Sequence, residues 1–173
     1  DGRTHLAHKA EHAVDLDTGA VVAVTVQGAH RGDTATFPDT LAEAVDQLDQ
    51  VTAPDGEPVA LGDDIVSDKG AHSRAVLLEL RLAGFRTYIS EPDRRSHCWR
   101  GQHAARDAVY ANRRRIRGTR GIALLRRRGE LLERTFAHAY DTGAMRRTHL
   151  RGHANILKRV LIQKGLMTEQ DLA

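Results

Sequence analysis

The 173-residue chain has one cysteine, Cys98. An internal disulfide is therefore excluded, and the chain fits a reducing compartment. It holds no apolar run long enough to cross a bilayer, which excludes a membrane helix and a membrane partner built on one. No basic segment followed by an apolar one marks a signal peptide within it. No CxxC pair occurs, so the histidines near one another (His5, His8 and His12; His97 beside Cys98, with His103) lack the paired spacing of a zinc site. Internal repeats and low-complexity linkers are also missing. With 40% hydrophobic residues, the chain is nonetheless expected to fold.

What it does have is a lopsided charge. Residues 1–93 contain seven Lys and Arg against seventeen Asp and Glu, whereas residues 94–164 contain nineteen against four. The formal net charge of +3 conceals this. An acidic half followed by a basic half points to a polyanionic partner for the second half; the alternative is mutual neutralisation within the chain. Arginine heavily outnumbers lysine in the basic half, and guanidinium forks suit phosphate oxygens.

Lys9 to Leu16 and Ala20 to Gln27 read as a hairpin around Asp17-Thr18-Gly19, with valines in the second strand and glycine where the turn needs positive φ. "GAHRGDTATFPDT" reads as a polar connection. "FPDTLAEAVDQLDQV" reads as a helix, with Pro38 in its first turn and Leu41, Val45 and Leu48 at helical spacing. Thr52 to Pro58 reads as a surface loop. "VALGDDIVSD" leads into a strand, "HSRAVLLELRLAG" predicts a helix closed by Gly84, and Phe85 to Ser90 predicts another strand. That order predicts a parallel βαβ unit. Residues 94–121 read as a basic insertion or loop, with "RRRIRGTRG" a candidate DNA-tracking segment. Trp99 and Tyr110 are expected to pack on the adjacent helix, base stacking being the other role open to Trp99. "IALLRRRGELLERTFAHAYD" predicts a helix with Ile122, Leu125, Leu132 and Phe136 on one face, and "RRTHLRGHANILKRVLIQKGL" contains a further basic helix. The expected architecture is one α/β domain with a basic, helical second half.

Asp68, in "IVSDKGAHS", stands at the carboxyl end of a strand expected to be buried, where open α/β sheets gather ligands. A carboxylate there can share a hard cation with water and phosphate oxygens. It can equally cap the helix starting near Ala71. Glu133, in "RRRGELLERTFAH", lies among Arg126, Arg127, Arg128 and Arg134, where a carboxylate is ordinarily ion-paired; Glu130 shares those surroundings. Two separated carboxylates beside a basic surface also suit metal-assisted phosphodiester chemistry, with cations about 3.5–4 Å apart.

The segments "IVSDKGAHS", "RRRGELLERTFAH" and "HLRGHANILKRVLI", in that order, resemble the catalytic half of bacterial insertion-sequence transposases with a DDE triad. "HKAEHAVDLDTGAVVAVTVQGAHRGDT" is similar to the early strands of that family. The resemblance runs from about His5 to Lys164. It implies an α/β, RNase H-like fold, a mixed sheet flanked by helices, with residues 1–173 forming a single catalytic domain. It implies metal-dependent cleavage and strand transfer of insertion-sequence DNA ends, with Mg²⁺ or Mn²⁺ as cofactor. It also implies DNA as partner (insertion ends and target), self-association on DNA, and a cytoplasmic, nucleoid-associated location. Asp68 matches the second catalytic aspartate, in the family's Asp-Lys-Gly-Tyr motif, with Ala71 replacing the aromatic. Glu133 matches the catalytic glutamate of Glu-Arg-x-Phe, Glu130 being the second choice. Many relatives carry an arginine four residues before that glutamate; here Gly129 stands there and Arg128 one further back. Lys69 and His72 are expected to face DNA phosphates, together with Arg113, Arg114, Arg115, Arg126, Arg127, Arg128, Arg134, Arg146 and Arg147. Asp33, in "HRGDT", resembles a recurrent aspartate and is not assigned to catalysis.

The family's first aspartate, on a strand before the hairpin, has no match: Asp15 and Asp17 fall near the turn and Asp1 has no strand ahead of it. The expectation is a chain that starts after the first catalytic strand and is inactive alone. Its hairpin and Asp68 strand would lack a shared neighbour and keep unpaired edges. The alternatives are a non-enzymatic DNA-binding remnant and an unrelated metal-dependent nuclease. The nuclease would need a third acidic ligand, for instance Asp33 or Asp15, converging on Asp68.

Overall fold

Valine enrichment and a well-bonded turn produce the first element pair. Strand β1 (His8–Val14) runs antiparallel to β2 (Val21–Gly28), from His8 opposite Gly28 to Val14 opposite Val21. The Asp15 carboxylate accepts from the backbone N–H of Asp17 (3.2 Å) and Thr18 (3.1 Å), and Gly19 takes φ +78°. The structure, a computed structural model, describes residues 8–53, 56–57, 59–93, 98–141, 143, 145, 147 and 149–164. They follow the order β1, β2, α1 (Asp33–Asp49), β3 (Asp64–Ser67), α2 (Arg74–Leu82), β4 (Arg86–Ile89), α3 (His103–Arg117), α4 (Thr119–Asp141) and α5 (His153–Lys164). The chain divides into two compact units: Asp1–Arg31, Asp39–Val59 and Leu131–Ala173 in the first, Gly32–Pro38 and Ala60–Glu130 in the second. The division falls inside α1 and α4.

In the first unit, Ile156 and Val160, four residues apart on α5, pack on Val24 and Val26 of β2, with Ala10, Val21, Met145, Leu157 and Leu161 around them. A polar bridge ties the hairpin to α1: the Thr25 and Thr40 hydroxyls lie 2.7 Å apart, and that of Thr40 donates to Glu11 Oε2 at 2.7 Å. Helix α1 starts at Asp33, so "DTAT" is helical rather than connecting, and Pro38 lies in the helix interior instead of the first turn. Asp33 favours that earlier start because a carboxylate suits the positive end of the helix dipole. Pro38 withholds the N–H that would reach the Thr34 carbonyl.

In the second unit, β3 and β4 are parallel, with Asp64 opposite Arg86 and Ser67 opposite Ile89, and α2 crosses between them. The expected βαβ unit is present. Ser73 caps α2 by accepting from the Val76 N–H at 3.0 Å, and Val76, Leu77 and Leu80 are buried. Gly84 at φ +92° closes it, its N–H reaching the Arg81 carbonyl while that of Phe85 reaches Leu80.

Two expectations about this half need correction. First, residues 94–121 are not a loop throughout: His103–Arg117 is helix α3 and Thr119 begins α4. Helix α3 buries Ala105, Ala108, Val109 and Asn112, a face of small residues at helical spacing that an arginine-rich stretch disguises. Second, the described residues hold two two-stranded sheets, β1–β2 and β3–β4, rather than one mixed sheet. The outer edge of β4 is covered by a helix. The buried Asn112 side chain donates to the Ile89 carbonyl (2.8 Å) and accepts from its N–H (2.9 Å), as a neighbouring strand would. Arg115 donates to the Thr87 carbonyl at 3.1 Å. Helix α3 therefore occupies the outer edge of β4. Among the described residues, no helix is long and apolar enough to cross a membrane.

Candidate functional site

Strand β3 ends on buried Ser67, and Asp68 follows at the exposed lip, where the chain tightens into a 3-10 turn over Lys69–Ala71. Asp68 Oδ1 accepts from the Gly70 N–H at 2.9 Å, so the carboxylate does cap a helical turn. It is this short turn that it caps, since Ser73 caps α2. Asp68 Oδ2 faces Arg128 Nη2 of α4 at 3.4 Å. Gly70 is crowded on its open side: a Cβ there would lie 2.1 Å from Asp33 Oδ2 and 3.1 Å from Asp68 Oδ1. Two carboxylates thus face one small space that a side chain at residue 70 would fill. Oxygen donors of this kind fit a hard divalent cation, and the Arg128 guanidinium already brings positive charge to Asp68. Among the described residues, no three His, Cys, Asp or Glu side chains form a group that could hold a metal.

The other expected site residues divide by burial. Lys69 is exposed. His72 is only 5% exposed, carried inward on the turn that buries Ala71. Arg113 is also spoken for: Nε and Nη2 hold the Glu91 carboxylate at 2.7 and 2.5 Å. Those hydrogen bonds keep Glu91 below the usual carboxylate range against the opposing effect of burial. Arg115 is half-buried against Thr87, and burial lowers its pKa. Arg113 and Arg115 are therefore both engaged within the unit. Arg114, Arg127, Arg134 and Arg147 are exposed, and Arg126 is exposed while pairing with Glu130 at 3.1 Å. Arg146, His5 and His97 lie outside the described residues. Glu133 is exposed on α4, within the first unit.

Two features escaped sequence reasoning. Asp64, at the opposite end of β3 from Asp68, sits between Arg86 and Arg120, each at 2.6 Å. Burial pushes its pKa up, but the hydrogen bonds and charges of both arginines outweigh this and hold it below the usual value. No local motif signals a pairing across 56 residues. The approach of Asp33 to Gly70 is the other; the adjacent glycine and aspartate of "HRGDT" were its one visible sign. Trp99 packs as expected, with the Arg74 guanidinium 4.6 Å from its ring centroid and the Tyr110 ring at 6.2 Å.

The arrangement offers an oxygen-lined position at a strand end and a helical surface rich in arginine. A family model described as a transposase DDE domain matches residues 1–167. No curated protein and no solved structure matches the chain.

Proposed function

Because this chain belongs to the transposase DDE domain family, we propose that it is the part of an insertion-sequence transposase that carries two of the three catalytic carboxylates, Asp68 and Glu133, on an RNase H-like fold. The family match over residues 1–167 carries this reading. The position of Asp68 at the lip of β3 supports it, because that carboxylate is oriented before any ligand arrives by the Gly70 N–H. Asp68 and Glu133 would hold Mg²⁺ or Mn²⁺, which when bound activates the attacking oxygen and steadies the leaving one at a DNA phosphate. Exposed Lys69, Arg114, Arg126, Arg127, Arg134 and Arg147 would grip the backbone of insertion ends and target, and Arg128 would balance charge at Asp68. Self-association on DNA and a nucleoid-associated, cytoplasmic setting belong to the same reading. No residue is assigned as the remaining carboxylate, so the chain by itself should bind DNA ends without joining them.

The test is metal-dependent binding to short duplexes carrying insertion ends. Mn²⁺ should tighten binding by the 173-residue chain, and Asp68→Asn and Glu133→Gln should each abolish the increment. Asparagine keeps the cap at Gly70 and removes the charge, so it separates chemistry from folding. Binding indifferent to both metal and substitutions would favour a non-enzymatic DNA-binding remnant. Strand transfer by the purified chain alone would overturn its assigned inactivity.

A further inference from the structure

We propose that the end of the β3–β4 sheet opposite Asp68 is a second surface for the DNA backbone, formed by Arg81, Arg86 and Arg120. This rests on DNA as the partner and is independent of any role for Asp68. Asp64 is the anchor: one oxygen holds Arg86 Nε and the other Arg120 Nη2, each at 2.6 Å. Its side chain is only 16% exposed, whereas those of Arg86 and Arg120 are 53% and 69% exposed. The pairing thus fixes two guanidinium groups from within and leaves further N–H donors of each for an outside anion. A guanidinium already held in place loses little freedom on meeting a phosphate, which its planar fork matches. The local charge favours such an anion. Asp63 and Asp64 act on Arg86, while Arg115 feels Arg81, Arg114 and Asp64, so five arginines gather around two carboxylates. Burial lowers the pKa of Arg115, and the like charges of Arg81 and Arg114 add to this. Arg115 itself is turned to Thr87, whereas Arg81 and Arg114 are exposed and, among the described residues, hold no carboxylate. Phosphate oxygens supply the charge that this end lacks. Asp64 and Asp68 are separated by about 13 Å of extended chain, so one phosphate group cannot engage both ends of β3. The surface therefore extends the footprint of a duplex beyond the Asp68 position.

The test is binding of the 173-residue chain to a short fluorescein-labelled duplex of unrelated sequence, read by anisotropy over a salt series beside a melt of each variant. Arg81→Ala and Arg120→Ala together should weaken binding at least about fivefold and lower the slope of log affinity against log salt by up to about 1.8. Arg81→Ala alone has no ion pair to lose, so it carries the test if the double variant folds poorly. It should lower the slope by up to about 0.9 and leave the melt unchanged. Arg31→Ala removes the same charge from the other unit and should change affinity less than about twofold. If Arg31→Ala weakens binding as much as Arg81→Ala, net charge alone is at work and the proposal fails. If the Arg81 and Arg120 variants bind the duplex as the parent does, the surface does not hold DNA; weaker self-association of those variants in sedimentation would then assign it to a second copy. If the parent binds no duplex, DNA as partner fails and this proposal fails with it.

Discussion

His12 shows how one side chain ties stability to pH. Its ring stacks on Phe136 at 4.4 Å and 12°, and its Nδ1 is buried with no hydrogen-bond partner among the described residues. Burial first, then the charge of Lys164, lowers its pKa from 6.5 to about 4. Between those values the unfolded chain takes up a proton that the folded chain refuses. Stability from this residue is therefore complete above pH 6.5 and is lost as pH falls towards 4, by up to about 3 kcal/mol. Asp64 and Glu91 are also held low, but their contributions fade only below the ordinary carboxylate values of 3.8 and 4.5. The interval from 6.5 to 4.5 is thus free of those two carboxylates and exposes the histidine. His12→Phe keeps an aromatic partner for Phe136 and should flatten the urea midpoint across that interval; an unchanged slope would remove His12 from the account. Sequence did not reveal this, since a histidine at a strand start looks alike whether or not a distant helix covers it. The burial of His72 is equally invisible in the local sequence. Asp68 was legible because a strand end is local, whereas its partner Arg128 lies 60 residues away.

At the scale of elements, two glycines of α4 make opposite forecasts. Gly121 lies in the first turn, buried against the end of α3, and a Cβ there would meet the Arg115 carbonyl oxygen at 2.1 Å and Ile116 Cα at 2.8 Å. Backbone cannot yield as a flexible side chain can, so Gly121→Ala should force the two helices apart and cost about 1–3 kcal/mol. Gly129 lies mid-helix, with nothing within 4 Å of a Cβ. There Gly129→Ala should add roughly 0.5–1 kcal/mol by restricting the unfolded chain. Paired thermal melts check both signs at once, and a stabilising Gly121→Ala would mean that α3 and α4 do not meet this closely. Elements were legible where apolar periodicity was strong: the hairpin, α2 with its closing glycine, and the parallel strand pair. Helix α3 was not, because it buries alanines and an asparagine, and its interactions with β4 run through polar side chains. The start of α1 is hidden in the sequence because Pro38 reads as a first-turn residue, although a helical turn precedes it.

For the whole molecule, the question is how much of the basic half is spent inside the chain. Arg113, Arg120 and Arg128 pair with Glu91, Asp64 and Asp68 of the acidic half, so internal neutralisation accounts for part of the asymmetry. Exposed arginines still remain, including Arg114, Arg134 and Arg147. The two groups should behave differently on DNA. Each phosphate contact releases counterions and contributes about 0.9 to the slope of log affinity against log salt. Replacing Arg114, Arg134 and Arg147 together by alanine should therefore weaken binding to unrelated duplexes alike, lower that slope by up to about 0.9 per lost contact, and leave the melting temperature nearly unchanged. Replacing Arg113 and Arg115 should do the reverse. Glu91 loses the guanidinium that holds its charge and Thr87 loses its partner at the edge of β4, so the melt moves down while the salt slope of the folded fraction stays put. Salt titrations by fluorescence anisotropy, run beside melts of the same proteins, separate the two. If the slope is insensitive to the exposed set, the polyanion does not lie on these arginines, and the charge bias of residues 94–164 answers mainly to the carboxylates of residues 1–93.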